Sequence, residues 1–217
     1  KLLLARMDQR FKLLSAVGTR QDRQATLRAT FDWSWELLSE AEKAALAQLS
    51  VFEGGLTLQA AEAVLALSGC DAPPAPMDVL QSLVQKSFVQ QLSTERFELL
   101  VSVQEYAAEH LRSPVHPGGG PERTLAAQLR HGIYFCRMTG TDPGADLDNV
   151  MAGCRRAVLR GHAALAVDLL ERASVGLMLR GPYQAAADIA SQVLGMPQLT
   201  SAAKARAHWV AGHALHH

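Results

Sequence analysis

The large apolar residues of this chain recur at helical intervals almost from end to end, and that spacing limits the folds open to it. Leu27, Phe31, Trp35 and Leu38 advance by four, four and three, which places them on one face of a helix. The same interval returns in Leu58, Ala61, Val64 and Leu65, in Met77, Leu80, Leu83 and Val84, and in Val103, Tyr106, Ala107 and Leu111. Two short runs depart from it, Phe88 to Leu92 and Arg96 to Leu100. The polar turn Ser93-Thr94-Glu95 joins them, so they read as a β-hairpin. Two strands alone are marginal in water, so the hairpin must lean on the helices. A mainly α chain is expected.

Local signals place the joints. Lys1 to Leu14 reads as a helix striped by Leu3, Met7 and Phe11, and the polar stretch Ser15 to Ala25, with Gly18, as a loop. A helix from Thr26 to about Ser39 follows. Ser39 and Glu42 then have the spacing of a capping box for a second helix, which runs through Leu46 and Leu49 to Phe52 and is stopped by Gly54-Gly55. Thr57 is placed to cap a third helix, and the Pro-rich Asp71 to Pro76 must be a loop. Helices followed by one hairpin and another helix are the ingredients of a winged helix. Its expected core is Leu27, Phe31, Trp35, Leu49, Phe52, Leu83, Phe88, Phe97, Leu99 and Tyr106.

A second break falls at Ser113 to Pro121, SPVHPGGGP, and reads as a domain boundary. Beyond it the stripes are Leu125, Leu129, Ile133 and Cys136; Leu147, Val150, Met151, Cys154 and Val158; Leu165, Leu169, Leu170 and Leu177; Tyr183, Ala187, Ala190 and Leu194; and Ala205, Trp209, Gly212 and Leu215. Short joints at Gly161, Gly181-Pro182 and Gly195-Met196-Pro197 separate them. Abundant Ala and Gly allow close helix approach, as in an α-solenoid of antiparallel helix pairs.

Composition excludes several classes. The 217 residues are 48% hydrophobic, which suits a packed core and argues against disorder. Lys and Arg total 21, as do Asp and Glu, so the chain lacks the net positive charge usual in a dedicated DNA-binding domain. Cys70, Cys136 and Cys154 are far apart and outside any CxxC pair, which reads as free thiols in a reducing compartment. No signal peptide and no long apolar run is present, so neither secretion nor membrane spanning is indicated. A first residue of Lys1, in mid-pattern, suggests a piece of a longer protein.

No constellation for chemistry stands out. There is no GxxxxGK[ST], and Gly118-Gly119-Gly120 lacks the Lys and reads as a flexible linker. His213, His216 and His217 could share a helix face, but no carboxylate lies near, so a tag remnant or frayed end is expected. His110, His116, His131 and His162 have no metal-ligand spacing and read as surface or structural. Asp142, Asp146 and Asp148 lack the Gly and distal Glu of a calcium loop, so one of them reads as an N-cap. No GxSxG elbow is present. Phe31, Trp33 and Trp35 read as core, and Arg20, Arg23 and Arg28 as a solvated cluster; Arg155, Arg156 and Arg160 read as a wet helix face. No catalytic, cofactor-binding or metal residue is assigned.

The residues that carry these patterns resemble a known class. TLRATFDWSWELLSEAEKAALAQLSVFEGGLTLQAAEAV, then VLQSLVQKSFVQ and RFELLVSVQEYAAEHL, look like the segment that follows the nucleotide-binding core in bacterial STAND ATPases of the AfsR and LuxR-type regulator class. LRHGIYF and DLDNVMAGCRRAV resemble the entry to the repeats, and LLLARMDQRFKLLS the end of the helical lid. The resemblance implies four parts: residues 1–20 ending the lid, 21–113 a winged helix, 114–122 a linker, and 123–217 tetratricopeptide-like helical repeats. In that class a P-loop module, lid and winged helix form a nucleotide switch, and the repeats sense a ligand or partner. Related switch ATPases carry a Met-His-Asp motif at the last winged-helix helix. Aligning Gln104-Glu105-Tyr106-Ala107 puts Leu99, Leu100 and Val101 there, side chains that neither hydrogen-bond nor carry charge.

The expected function is therefore that of a non-catalytic regulatory and protein-interaction piece of a cytoplasmic STAND-type signalling ATPase or transcriptional regulator. It would hold no cofactor itself, with ATP or ADP and Mg bound elsewhere in the parent. Its expected partners are the parent's nucleotide-binding module and a protein or small molecule at the repeats, without membrane or direct DNA contact. The alternative is a DNA-binding winged-helix domain, which the helix MDVLQSLVQKSF, with one Lys, disfavours.

Overall fold

Helical spacing becomes ten helices and three short strands among the described residues. The computed structural model describes residues 20–67, 74–116, 118–138, 144–180 and 183–215. Its contacts form two units, Lys1–Ser39 and Glu40–His217.

The first unit holds α1 (Arg20–Glu36). Arg20 to Ala25 are helical, although the stretch Ser15 to Ala25 is expected to be a loop. Gln, Arg and Ala are adequate helix formers, and no Gly or Pro follows Gly18, so polarity alone does not stop the helix. Two hydroxyls back-bond within it: Thr30 Oγ1 donates to the Thr26 carbonyl at 2.9 Å, and Ser34 Oγ to the Thr30 carbonyl at 2.8 Å. Trp35 and Leu38 are buried, whereas Leu27 and Phe31 are half-buried and Trp33 is exposed. The expectation that all three aromatics are core thus holds fully only for Trp35. The helix expected over Lys1 to Leu14 lies outside the described residues, as do Cys70 and Asp142.

The second unit opens with α2 (Glu40–Leu49), β1 (Leu56–Thr57), α3 (Leu58–Val64), α4 (Pro76–Gln85), β2 (Gln90–Gln91), β3 (Arg96–Glu98) and α5 (Val101–Arg112). The sheet runs β1-β3-β2, antiparallel throughout, with Phe97 opposite Leu56 on one side and Gln91 on the other. The hairpin is as expected, but β1 is an addition: two residues are too few to show alternation in a sequence. Thr57 both ends β1 and caps α3, its Oγ1 accepting from the Ala60 amide at 3.2 Å. Pro76 begins α4, where a missing N–H costs nothing. Leu46, Leu49, Leu56, Leu80, Leu83, Phe97 and Tyr106 are buried in this part. Glu42 is buried among them and accepts from Ser82 Oγ at 2.5 Å and Lys86 Nζ at 2.6 Å, which ties α2 to the end of α4.

The glycine run that follows α5 is tightly built, contrary to the flexible linker expected of it. The Gly120 amide donates to the Leu111 carbonyl at 2.8 Å, and Thr124 Oγ1 donates to the same oxygen at 2.9 Å. Together they satisfy a carbonyl left open at the end of α5. A Cβ on Gly119 would sit 2.3 Å from the Ser113 carbonyl oxygen and 2.4 Å from that of His110, so only glycine fits.

The remaining helices are α6 (Pro121–Arg137), α7 (Leu147–Leu159), α8 (Ala163–Arg180), α9 (Tyr183–Leu194) and α10 (Ser201–Leu215). Successive helices pack on each other, α8 also meeting α6 and α10. Their buried faces differ in part from the expected stripes. In α6 the buried residues are Ala127, His131, Gly132 and Phe135, while Leu125 and Leu129 are exposed. In α10 Ala207 and Val210 are buried, and Ala205 and Trp209 are exposed. The cause is close approach: small residues occupy the crossings, and Gly153 would place a Cβ 3.4 Å from the Gly132 Cα. Among the described residues, no helix is long and apolar enough to cross a membrane.

Candidate coupling interface

Several polar side chains converge where α6 and α7 meet the end of α2 and the turn after it. That turn must reverse the chain before β1, and Gly54 and Gly55 take φ of +80° and +88° there. Its backbone groups are left without helix or strand partners. Four side chains supply partners: Asn149 and Arg156 from α7, Gln104 from α5 and Arg96 from β3.

Asn149, on α7, is wholly buried against the turn. Its Oδ1 accepts from the Glu53 amide at 2.7 Å, and its Nδ2 donates to the Gly55 carbonyl at 2.8 Å. The same Oδ1 lies 3.1 Å from Nε2 of His131 on α6. An amide oxygen can only accept, so Nε2 carries the imidazole proton. Nδ1 of His131 is then a buried acceptor without a hydrogen-bond partner. The ring sits among aromatics, 5.1 Å from Phe52 and 4.8 Å from Phe135 between centroids. Burial, with the charge of Arg156 adding to it, pulls the imidazole down to about 3 against the opposing hydrogen bond to Asn149. His131 is therefore a neutral packing residue at ordinary pH.

Two arginines satisfy helix-end carbonyls. Arg130 Nε donates to the Val64 carbonyl at 2.6 Å, at the end of α3, and its NH2 group to Gln48 Oε1 at 2.9 Å. Arg156 donates to the Val51 carbonyl at 2.7 Å, just past α2, and to Glu53 Oε1 at 3.1 Å. A guanidinium at a helix C-terminus meets both open carbonyls and the negative end of the dipole. Gln48 completes the set, donating to Ala44 and Ala66 carbonyls and accepting from the Ala66 amide at 2.8 Å. Gln104, from α5, donates to the Ser50 and Phe52 carbonyls.

A third arginine closes the outer edge. Arg96 of β3 donates to the Gly54 carbonyl at 3.0 Å, the Ala145 carbonyl at 2.7 Å and the Asp146 carboxylate at 2.9 Å. Asp146 does occupy the N-cap position of α7, but its carboxylate makes no capping bond there and pairs with Arg96 instead.

The residues singled out in the sequence scatter around this joint. His131 and Asp146 belong to it. His110 is buried and stacks with Tyr106 and His116, while His162 is exposed. Of the three arginines expected on a wet face, Arg155 is exposed and pairs with Glu53, and Arg156 is turned inward. Cys154 is buried and Cys136 half-buried, both free thiols. Arg28 is exposed; the side chains of Arg20, Arg23 and His213 lie outside the described ones, as do His216 and His217. Leu99 is buried and Leu100 and Val101 exposed at the start of α5. Among the described residues, no group of three or more His, Cys, Asp or Glu could hold a metal. Asn149, Gln48 and Arg130 were missed in the sequence. A lone Asn inside the apolar pattern of α7, followed at i+3 and i+4 by Ala152 and Gly153, was the available signal.

Known proteins share part of this chain. Over 139 residues, 62% of the chain, it is 35% identical to proteins of Mycobacterium bovis and Mycobacterium tuberculosis described as "Putative HTH-type transcriptional regulator". Over 133 residues it is 35% identical to a shorter Mycobacterium tuberculosis protein described as uncharacterized. The matched stretch spans 15% of the length of the regulators and 33% of the shorter protein. No family model and no solved structure matches the chain. The similarity supports a relationship to transcriptional regulators, and the fold is mainly helical with one small sheet.

Proposed function

We propose that this chain is a non-catalytic relay within a larger cytoplasmic transcriptional regulator of the STAND ATPase type. Residues 40–112 act as a winged helix, and the helices from Pro121 onward as a tetratricopeptide-like array that docks a partner. The order helix, strand, helix, helix, strand, strand, with the sheet order β1-β3-β2, supports the winged-helix reading. The partial similarity to proteins described as HTH-type regulators supports the regulatory one. The observation that carries the relay is the joint: Asn149, Arg130 and Arg156 on the later helices bind backbone carbonyls of residues 51–64, and Arg96 of β3 binds the Ala145 carbonyl ahead of α7. A displacement at either side must then be shared, which is how packed elements pass on a two-state change. ATP or ADP with Mg is bound by the parent's P-loop module, not by this piece.

The test is to produce the parent's nucleotide-binding module separately and measure its affinity for this chain with ATP and with ADP. A difference of about fivefold or more fits a relay. Equal affinities count against it.

A second reading, direct DNA binding, is favoured by the description that the relatives carry. Against it, α4 has no Lys or Arg, and Lys86 just beyond it is held by Glu42. Fluorescence anisotropy with duplex DNA decides: tight binding that weakens steeply with salt would establish this reading instead.

A further inference from the structure

Between α6, α7 and the start of α8 lies an open recess of about 230 Å³, solvent included, lined by Gln128, Leu129, Arg156, Arg160, His162 and Leu165 among others. Gly153 and Ala157 complete its lining, and its enclosed part has room for about one oxygen-sized group. No carboxylate lines it. Arg160, His162 and part of Arg156 therefore border a space that no carboxylate lines.

The two arginines are differently committed. Arg156 is turned toward the joint, where it binds the Val51 carbonyl and Glu53. Arg160 has one acceptor among the described residues, Gln128 Oε1, which leaves the rest of its planar fork of donors open. Arg155 and Arg156 on α7 and Arg160 at its C-cap lie within six positions; burial lowers the affinity of Arg156 for its proton, the charge of Glu53 opposes this, and the charges of Arg155 and Arg160 add to it. An anion in the recess would relieve both the open donors and the crowding.

We propose that this recess binds the oxyanion end of a ligand, a phosphate or carboxylate group, with Arg160 as the principal clamp and His162 and Gln128 beside it. One oxygen enters the enclosed part of the recess and the remainder of the ligand stays outside. Because Arg156 lines the recess and also holds Val51 and Glu53, an anion there competes with Glu53 for the same guanidinium. Occupancy then loosens the joint, which gives the array's sensing role a ligand class. In that respect the inference rests on the relay proposed above.

Isothermal titration of the 217-residue chain with sodium phosphate, and separately with sodium acetate, tests this at an ionic strength fixed with sodium chloride. The expected result is saturable binding of at least one anion, weakened about tenfold or more in R160Q and less in R160K, which keeps the charge but not the fork. In E53Q, where Arg156 loses its carboxylate partner but keeps the Val51 carbonyl, binding should tighten about threefold or more. Phosphate stronger than acetate assigns a phosphate group, and the reverse a carboxylate. Absence of saturation with both anions, or wild-type affinity in a folded R160Q, overturns the site, and unchanged affinity in E53Q overturns its link to the joint. Circular dichroism confirms that each variant is folded. Failure here leaves the nucleotide-dependent binding of the parent module unaffected, so the two proposals fail separately.

Discussion

Oδ1 of Asn149 lies 3.1 Å from Nε2 of His131, and both side chains are wholly buried. One amide thereby joins α7 to α6 and both to the turn after α2. Replacing it leaves the Glu53 amide, the Gly55 carbonyl and the His131 N–H without their partner. N149A is expected to lower unfolding stability by about 2–4 kcal/mol, more than a surface substitution. N149D should cost at least as much, because a buried carboxylate oxygen would face the Gly55 carbonyl. Urea denaturation of the two variants beside an exposed control such as Q59A checks the order.

His131 makes stability depend on pH in a definite direction. Its pKa is about 3 in the fold, against an ordinary 6.5. Between those values the unfolded chain takes up a proton that the folded chain excludes. Stability is therefore lost as pH falls from about 6.5, at a slope approaching about 1.4 kcal/mol per pH unit, and the loss levels off near the folded value. H131Q removes this titration. Its denaturation midpoint should change less between pH 7 and pH 4.5 than that of the wild type.

Two glycines should respond oppositely to alanine. G119A drives a methyl into the carbonyls of His110 and Ser113 and should cost about 2 kcal/mol or more. G212A lies within α10 with nothing inside 4 Å of the added carbon, so it should gain up to about 1 kcal/mol from helix propensity. Thermal melts of both variants test the contrast.

The described thiols should differ in reactivity. Burial pushes Cys154 up to about 12, and burial with the charge of Asp168 raises Cys136 as well. Thiolate is the reactive form, so Cys154 should react with iodoacetamide at pH 8 only as the chain unfolds. Cys136, half-buried, should react sooner. Mass spectrometry of peptides after timed labelling separates the two.

Periodicity made the helices and the hairpin legible, because burial of one face leaves a mark at every third or fourth residue. It misled where size and burial part company. Leu125 and Leu129 looked like the inner face of α6, yet Ala127 and Gly132 hold the crossing and a polar residue, His131, fills the centre. Strand β1 was invisible because two residues cannot alternate. The glycine run after Pro117 looked slack because glycine permits both slack chain and very close packing, and only the positions of neighbouring carbonyls tell them apart. The joint itself was the least legible. Asn149 and its backbone partners at Glu53 and Gly55 are more than ninety residues apart, and hydrogen bonds to backbone leave no pattern in side-chain identity.

The relay requires residues 40–112 and the helices after Pro121 to act as one mechanical piece through this joint. Native-state hydrogen exchange of α2 and α7 amides measures that directly. The prediction is that both helices open with the same free energy, and that N149A lowers both by the same amount. If α7 opened independently of α2, or if N149A weakened α7 alone, the joint would not couple the two parts and the relay would be contradicted.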